Sequence, residues 1–102
     1  MRIRVRYVWD RAKASANLQK HGVSFESARD VFSDEHILTK YDVDTSLNED
    51  RWISIGLSAN SNSVLVVYTY NDYDFDDHVV LIISACKPTR REAQAYWMER
   101  LQ

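Results

Sequence analysis

One glycine, Gly22, divides residues 9–32 into two predicted helices, and this division constrains the fold more than any other feature of the sequence. Asp10 is a favourable N-cap for the first helix, because its carboxylate can accept hydrogen bonds from the free amides of the first turn. Gly22 is the only glycine in the first half of the chain and follows two basic residues, a pattern typical of a helix C-terminus. Ser24 then caps the second helix. The pair needs a sheet to pack against, and the rest of the chain supplies the strands.

The two predicted helices differ in their apolar surfaces. Phe25, Ala28 and Phe32 fall at i, i+3 and i+7 of the second helix and form an apolar stripe. On the first helix, Asn17 and His21 share one arc with two apolar residues, at the margin of a packed face. Two interpretations are open for this pair. Either Asn17 is a partly buried hydrogen-bonding residue and His21 a satisfied C-terminal histidine, or the two residues have functional roles.

Alternating or continuous apolar residues predict five strands, at residues 2–8, 36–40, 51–57, 64–70 and 79–84. Residues 58–63 are rich in Ser and Asn and predict the turn of a hairpin between the third and fourth strands. The last strand is apolar on both faces, which indicates a central or nearly central position in the sheet. In the first strand, the alternate residues Arg2, Arg4 and Arg6 form either a solvated edge or a contact for RNA or an acidic partner.

The last predicted helix begins at a capping box formed by Thr89 and Glu92, after Pro88 ends the preceding strand. The order of elements is a strand, two helices, three or four antiparallel strands and a helix. This order predicts an α+β fold, with two N-terminal helices and one C-terminal helix on an antiparallel sheet of four to five strands. No linker or repeat interrupts the pattern, so we expect one domain across residues 1–102.

The composition excludes several classes of protein. A chain of 102 residues with 45% hydrophobic residues can bury one core but is too short for a multidomain enzyme. Its single cysteine, Cys86, cannot form an internal disulfide, which fits a reducing compartment. The sequence has neither a signal-peptide pattern nor a long apolar run, so we expect a cytoplasmic protein without membrane segments.

Charge is distributed unevenly along the chain. The net charge of −2 is unusual for a protein that binds nucleic acid. However, four aspartates fall within residues 72–77, whereas Lys87, Arg90 and Arg91 form a basic cluster. This cluster lies where the last strand passes into a helix N-terminus, which is a favourable place for an anion. No metal-binding or cofactor motif is present, so we expect no metal site and no cofactor.

The run W-D-x-x-K-x-x-x-N-x-x-K-H-G-V-S-F resembles the opening signature of the BrnT toxin family. Ten positions match at fixed spacing: Trp9, Asp10, Lys13, Asn17, Lys20, His21, Gly22, Val23, Ser24 and Phe25. Further matches follow at residues 50–56, 66–69, 82–85 and 89–92. The resemblance implies a RelE-like fold and a ribonuclease toxin of a type II toxin–antitoxin pair. It also implies an RNA substrate and a DNA-binding, BrnA-like antitoxin, with which the chain forms a hetero-oligomer.

The resemblance and the basic cluster together indicate the site residues. A ribonuclease without a metal ion must stabilise charge on the phosphoryl oxygens and move two protons. We expect catalytic roles for Arg51, Arg90, Lys87, His21 and Glu92, and RNA-binding roles for Lys20, Arg91 and Tyr68. Simpler roles are also open, because Arg51 can form only a surface ion pair and Glu92 can serve only as a helix cap.

Three positions depart from the family pattern, in which arginines are common at Cys86 and near Leu81 and Asn71. Lys87 can bring a positive charge close to position 86, but a flexible ammonium does not reproduce a bidentate guanidinium. Cys86 itself is either an inert buried thiol or, beside a lysine and a helix N-terminus, a thiol with a lowered pKa.

Three functions are therefore open. The first is a toxin that inhibits growth and translation by cleaving RNA and is neutralised by a cognate antitoxin. The second is an interaction module of the same fold, weakly active or inactive, that binds the antitoxin and co-represses its operon; the missing arginines favour it. The third is a DNA-binding helix-turn-helix, which is disfavoured because Glu26 and Asp30 leave only Arg29 to contact nucleic acid.

Overall fold

The computed structural model describes residues 4–102, which form five strands, three helices and one 3₁₀ turn. In chain order these are β1 (Arg4–Val8), α1 (Arg11–His21), α2 (Phe25–Asp30), the 3₁₀ turn (Val31–Ser33), β2 (Leu38–Tyr41), β3 (Trp52–Leu57), β4 (Ser63–Asp72), β5 (Asp77–Cys86) and α3 (Arg90–Arg100). Residues 2 and 3, which the sequence assigns to the first strand, lie outside the described residues. Within the described part of the chain, no helix is long and apolar enough to cross a membrane.

The five strands form one mixed sheet in the order β1-β5-β4-β3-β2. The predicted hairpin is confirmed, because β3 and β4 are antiparallel and Leu57 lies opposite Ser63. The expectation of a purely antiparallel sheet is wrong at β1, which pairs in parallel with β5. Alternation of side chains indicates which residues share a face of a strand, but it does not indicate the neighbouring strand or its direction.

The β4–β5 hairpin is longer than the sequence predicts. Its loop covers only residues 73–76, rather than the expected 71–77, because β4 continues to Asp72 and β5 begins at Asp77. β5 lies between β1 and β4, an interior position that its apolar run predicts. The helices do not cover β5 completely, since Leu81 is 37% exposed.

Helices cover both faces of the sheet. On one face, α1, α2 and the 3₁₀ turn pack over the larger buried cluster, formed by Val23, Phe25, Ala28, Val31, Val64, Val66, Tyr68, Val80, Ile82 and Ala85. On the opposite face, Tyr96 of α3 packs with Ile55 and Leu65. We refer to these as the α1–α2 face and the α3 face. Each helix layer therefore has its own core, and the sheet separates the two.

The helix caps are those that the sequence predicts. Asp10 accepts from the amide of Lys13 at 3.0 Å, and Gly22 adopts a left-handed conformation at φ 69°. Ser24 accepts from the amide of Ser27 at 3.1 Å. The Thr89–Glu92 capping box is present in both directions, at 2.7 and 3.2 Å. These caps form locally, which explains why the sequence alone predicts them.

Asn17 joins α1 to the sheet through its side-chain amide, which is buried. Nδ2 donates to the carbonyl of Ala85 at 2.8 Å and to the carbonyl of Val23 at 3.0 Å, and Oδ1 accepts from the amide of Ala85 at 3.1 Å. β1 ends at Val8, opposite Leu81, so Ala85 lies beyond the reach of that strand. The amide of Asn17 therefore takes the place of a neighbouring strand. This geometry confirms the interpretation of Asn17 as a buried hydrogen-bonding residue.

Replacing Asn17 by Ala should lower the free energy of unfolding by about 3 kcal/mol, since it leaves one buried amide and two carbonyls without partners. Urea unfolding followed by circular dichroism measures the change. Gln19→Ala, an exposed change on the same helix, is the control and should stay within about 0.5 kcal/mol of wild type. Equal stability of the Asn17 variant and wild type would contradict this role.

Asp34 joins α3 to the end of β3 through a buried carboxylate, whose side chain is 5% exposed. It accepts from the amide of Leu57 at 2.8 Å, from the amide of His36 at 2.9 Å and from the hydroxyl of Tyr96. Arg100 approaches it at 3.4 Å. Burial acts to raise the pKa of Asp34, but the hydrogen bonds and Arg100 outweigh it and hold the pKa below its ordinary value.

Asp34→Asn should lower the free energy of unfolding by about 2 kcal/mol at neutral pH, because hydrogen bonds to a charged group are lost. A lowered folded-state pKa stabilises the fold above the unfolded-state pKa, and this contribution is lost as the pH falls through the folded-state value. The difference in the free energy of unfolding between variant and wild type should therefore become smaller in acid. Unfolding curves at several pH values test this, with the exposed Glu35→Gln as the control; a gap that widens in acid would contradict it.

Candidate functional site

A groove at one end of the sheet lies between the α1–α2 turn, the β3–β4 turn and the β5–α3 junction. It has a volume of about 490 Å³ and is lined by Gly22, Val23, Ser27, Ser58, Asn60, Asn62, Ser63, Val64, Lys87 and Pro88. We call it the Lys87 groove, because Lys87 is the one charged residue among those that line it. Serine hydroxyls and asparagine amides supply donors and acceptors. The groove can therefore hold a polar, negatively charged ligand.

Several predicted site residues flank the Lys87 groove. Lys20 and His21 end α1 directly before the glycine that lines the groove, and both are exposed. Arg90 and Arg91 begin α3, shortly after the lysine of the groove, and are also exposed. Basic residues at the end of α1 interact favourably with the negative end of its dipole. The fold thus brings most of the predicted basic residues to one end of the molecule.

A second groove, of about 420 Å³, shares Ser58 with the Lys87 groove but has the opposite electrostatic character. Three carboxylates line it, from Asp30, Asp34 and Glu35, together with His36 and Arg100. A polyanion is repelled by three carboxylates, whereas the neighbouring groove offers it a lysine and polar groups. Of the two, the Lys87 groove is the one suited to a phosphate.

Arg51 lies far from the Lys87 groove. It precedes Trp52, which pairs with Tyr68, and is therefore level with Thr69 of β4. Lys87 follows the pair Leu65–Cys86 and is level with Val64. At a rise of about 3.4 Å per residue, this offset is about 17 Å along the sheet. Arg51 and Lys87 therefore do not belong to one compact site.

The surroundings of Arg51 include an ion pair and an unpaired buried atom. Its Nη2 donates to Glu49 at 3.3 Å, and its side chain is 31% exposed. Its Nε is buried and has no hydrogen-bond partner within residues 4–102. Exposed ion pairs of this kind contribute little to stability.

Two other predicted site residues have structural contacts. Tyr68 is only 6% exposed and its hydroxyl lies 2.7 Å from that of Ser54, so its side chain has a packing role, and its contact with RNA stays a prediction. The alternation of β4 places it on the α1–α2 face, beneath Phe32. Glu92 accepts from the amide of Thr89 at 2.7 Å, which is its role in the capping box.

Cys86 faces the smaller core, against Ile55 and Tyr96. Burial raises the pKa of its thiol, and the nearby carboxylate of Glu92 raises it further. The interpretation of Cys86 as a thiol with a lowered pKa is therefore wrong.

Comparison with known proteins identifies the family. The family model described as "Ribonuclease toxin, BrnT, of type II toxin-antitoxin system" matches residues 9–92. The chain belongs to the BrnT family. The resemblance that the opening signature carries is thereby confirmed, and membership of a type II system implies an antitoxin partner. No curated protein matches the sequence.

A solved structure of a BrnT toxin has a similar fold. The 1.1 Å crystal structure of the Brucella abortus ribonuclease toxin BrnT superposes with a TM-score of 0.59 and is 19% identical in sequence. The superposition covers 85% of this chain and 100% of the Brucella chain. At this identity the likeness concerns the fold, which is α+β with a five-stranded mixed sheet and three helices.

Much of the BrnT opening signature serves the fold. Asp10 and Ser24 are caps, Gly22 adopts the left-handed conformation, and Asn17 holds α1 to β5. Phe25 is 1% exposed and packs edge-on against Trp9, with ring centroids 6.1 Å apart. The signature residues left without such a role are exposed and basic, namely Lys13, Lys20 and His21.

Two of the three positions singled out in the sequence for a missing arginine lie near Arg51. Leu81 lies opposite Thr69 and Asn71 lies opposite Val79, at the same end of the sheet as Arg51. The third, Cys86, lies at the end near the Lys87 groove. Of the three positions, two therefore lie at the end of the sheet that carries Arg51 and one at the end that carries Lys87.

One pair of titratable residues is not predicted from the sequence. The ring of His78 hydrogen-bonds the carboxylate of Asp72 across the β4–β5 hairpin and stacks on Tyr70, with ring centroids 5.6 Å apart. The hydrogen bond that the ring donates to Asp72 raises the pKa of His78 above its ordinary value, and this outweighs the opposing effect of burial. The sequence does not predict this pair because Asp72 falls in the predicted loop, whereas in the structure it belongs to β4.

Asp72→Asn should lower the pKa of His78, since it removes the charged acceptor, and ring-proton NMR titration measures the change. A raised histidine pKa stabilises the fold below the unfolded-state value, and this is lost as the pH rises through the folded-state value. The variant should therefore be destabilised more in mild acid than in mild alkali. Asp74→Asn is the control; an equal shift from both variants would contradict the specific pairing.

Proposed function

We propose that this chain is a metal-independent endoribonuclease toxin that acts in the cytoplasm and inhibits growth and translation by cleaving RNA. We propose also that a cognate antitoxin, a DNA-binding, BrnA-like protein, neutralises it in a hetero-oligomer. One observation carries the proposal of RNA cleavage. In a chain of the BrnT family, the Lys87 groove combines a lysine, polar side chains and exposed basic neighbours with a lining free of carboxylates.

The substrate is proposed to bind with one phosphate in the Lys87 groove. Lys87 neutralises charge that develops on the phosphoryl oxygens, and Asn60 and Asn62 hydrogen-bond the adjoining nucleotide. Arg90, which lines the outer side of α3 rather than the groove, contacts the RNA next to that phosphate. Lys20 and Arg91 contact neighbouring phosphates. Arg51, about 17 Å away along the sheet, contacts the RNA beyond the groove rather than the scissile phosphate.

His21 is proposed to move the first proton. As a base, it takes the proton of the 2′-hydroxyl while the 2′-oxygen forms a bond to phosphorus. The bond from phosphorus to the 5′-oxygen breaks on the far side, where that oxygen takes a proton from solvent water, and the imidazolium later returns its proton to solvent. Glu92 is proposed as a positioning residue, because its hydrogen bond to Thr89 fixes the turn that carries Arg90.

A second candidate function is favoured by the positions that lack arginine. With Cys86 where the resemblance leads us to expect an arginine, and with no arginine near Asn71 or Leu81, the chain is proposed alternatively to be a weak or inactive nuclease. It would bind the antitoxin and co-repress the operon. The two candidates differ in what the chain does alone, since only the first predicts RNA decay without a partner.

A His21→Ala, Lys87→Ala double variant should cleave a long single-stranded RNA at least about 100-fold more slowly than wild type, since it removes the proposed proton carrier and phosphate contact. Cleavage by the purified chain, with and without EDTA, measures this. Lys40→Ala, an exposed lysine of β2, is the matched control and should cleave at the wild-type rate.

Expression of wild type and the double variant in a bacterial host gives the second measurement. Growth arrest with RNA decay, absent from the folded double variant, would support the toxin. A folded wild type that neither arrests growth nor cleaves RNA, but binds operator DNA with the antitoxin, would favour the interaction module. Loss of cleavage in EDTA would contradict metal independence.

A further inference from the structure

The tip of the β4–β5 hairpin, residues 70–77, exposes three aromatic side chains. Tyr70 is 45% exposed, Tyr73 is 67% exposed and Phe75 is 92% exposed. Apolar rings held in water are costly, and a cluster of them on a folded domain marks a surface that binds another molecule. We call this surface the aromatic tip.

The turn does not need these rings for its own structure. The amide of Tyr73 donates to the carbonyl of Asp77 at 2.9 Å, and Asp74 accepts from the amide of Asp76 at 3.1 Å. Backbone and aspartate groups therefore close the turn. Neither Tyr73 nor Phe75 belongs to a buried cluster of the described chain. Their exposure is a property of the surface and not a requirement of the loop.

The charges around the rings indicate the chemistry of the ligand. Four aspartates surround them, of which Asp72 is paired with His78 and Asp77 with Arg6 at 3.3 Å. Asp74 and Asp76 have no ion-pair partner among the described residues. Aromatic rings could stack on nucleic-acid bases, but unpaired carboxylates beside them repel phosphates. A positively charged polypeptide with apolar side chains fits both features.

Another exposed apolar surface has the opposite charge. Trp97, Met98 and Leu101 line the outer side of α3 next to Arg90, and Arg100 lies over the ring of Trp97 at 5.7 Å. A basic segment is repelled there and attracted at the aromatic tip. The two surfaces therefore give a matched pair for an experiment.

We propose that the aromatic tip is the docking surface for a basic segment of the cognate antitoxin. The inference rests on the antitoxin partner that the BrnT family implies, and not on the proposed cleavage site. The tip and the Lys87 groove lie at opposite ends of β4, which runs from Ser63 to Asp72. Docking at the tip anchors the antitoxin without filling the groove, so binding and inhibition use separate contacts.

Calorimetric titration of the full chain with its purified cognate antitoxin tests the proposal. Tyr73→Ser with Phe75→Ser, and separately Asp74→Asn with Asp76→Asn, should each weaken binding by at least about tenfold. Raising the salt concentration should weaken wild-type binding and shrink the effect of the aspartate pair, while the effect of the aromatic pair persists. The control, Met98→Ser with Leu101→Ser on α3, should bind within about twofold of wild type.

Three outcomes would overturn the proposal. The tip variants could bind the antitoxin as tightly as wild type, the α3 control could lose more affinity than the tip variants, or wild type could fail to bind the antitoxin at all. RNA cleavage by the aromatic variant without antitoxin separates this proposal from the proposed function. Cleavage at the wild-type rate is expected, and slower cleavage would assign the rings to RNA. If wild type cleaves no RNA but the tip variants lose antitoxin, the proposed function fails and the docking surface stands.

Discussion

The hydrogen bonds of Asn17 hold together the part of the fold on which the candidate site depends. Its amide binds both backbone groups of Ala85 and the carbonyl of Val23. One wall of the Lys87 groove contains Val23, and another begins two residues after Ala85. A neutral side chain therefore fixes the distance between a helix turn and a strand end without placing a charge in the core. The tyrosine–carboxylate contact that secures α3 on the opposite face relies on an ionised group and responds to pH.

The sheet also keeps two clusters of like charge apart. Lys87, Arg90 and Arg91 lie where β5 passes into α3, whereas four aspartates lie near the other end of β5, where Arg4 and Arg6 of β1 are also found. The formal net charge of −2 conceals these clusters. Under the proposed function, the two ends offer RNA and the antitoxin different electrostatic surfaces.

Local features of this fold follow from the sequence, and features that depend on strand partners do not. Asp10, Gly22 and the Thr89–Glu92 box act within a few residues, so their patterns predict caps directly. The parallel pairing of β1 with β5, by contrast, depends on residues far apart in the chain. The candidate site divides in the same way. Lys87, Arg90 and His21 lie at one end, but Arg51 lies at the other, because strand direction decides which ends meet. Predicting the Asp72–His78 pair likewise requires the register of the β4–β5 hairpin, in which the two residues lie opposite each other.

The pairing of β1 with β5 imposes an order on the assembly of this protein. Arg4 lies opposite Asp77, and closing so long a loop costs entropy that only a nearly complete sheet offsets. During translation, the first strand leaves the ribosome long before its neighbour exists. The Lys87 groove combines Gly22 from the early part of the chain with a lysine from the late part. A partly synthesised chain therefore has no Lys87 groove, and the groove forms only when the last part of the chain joins the sheet.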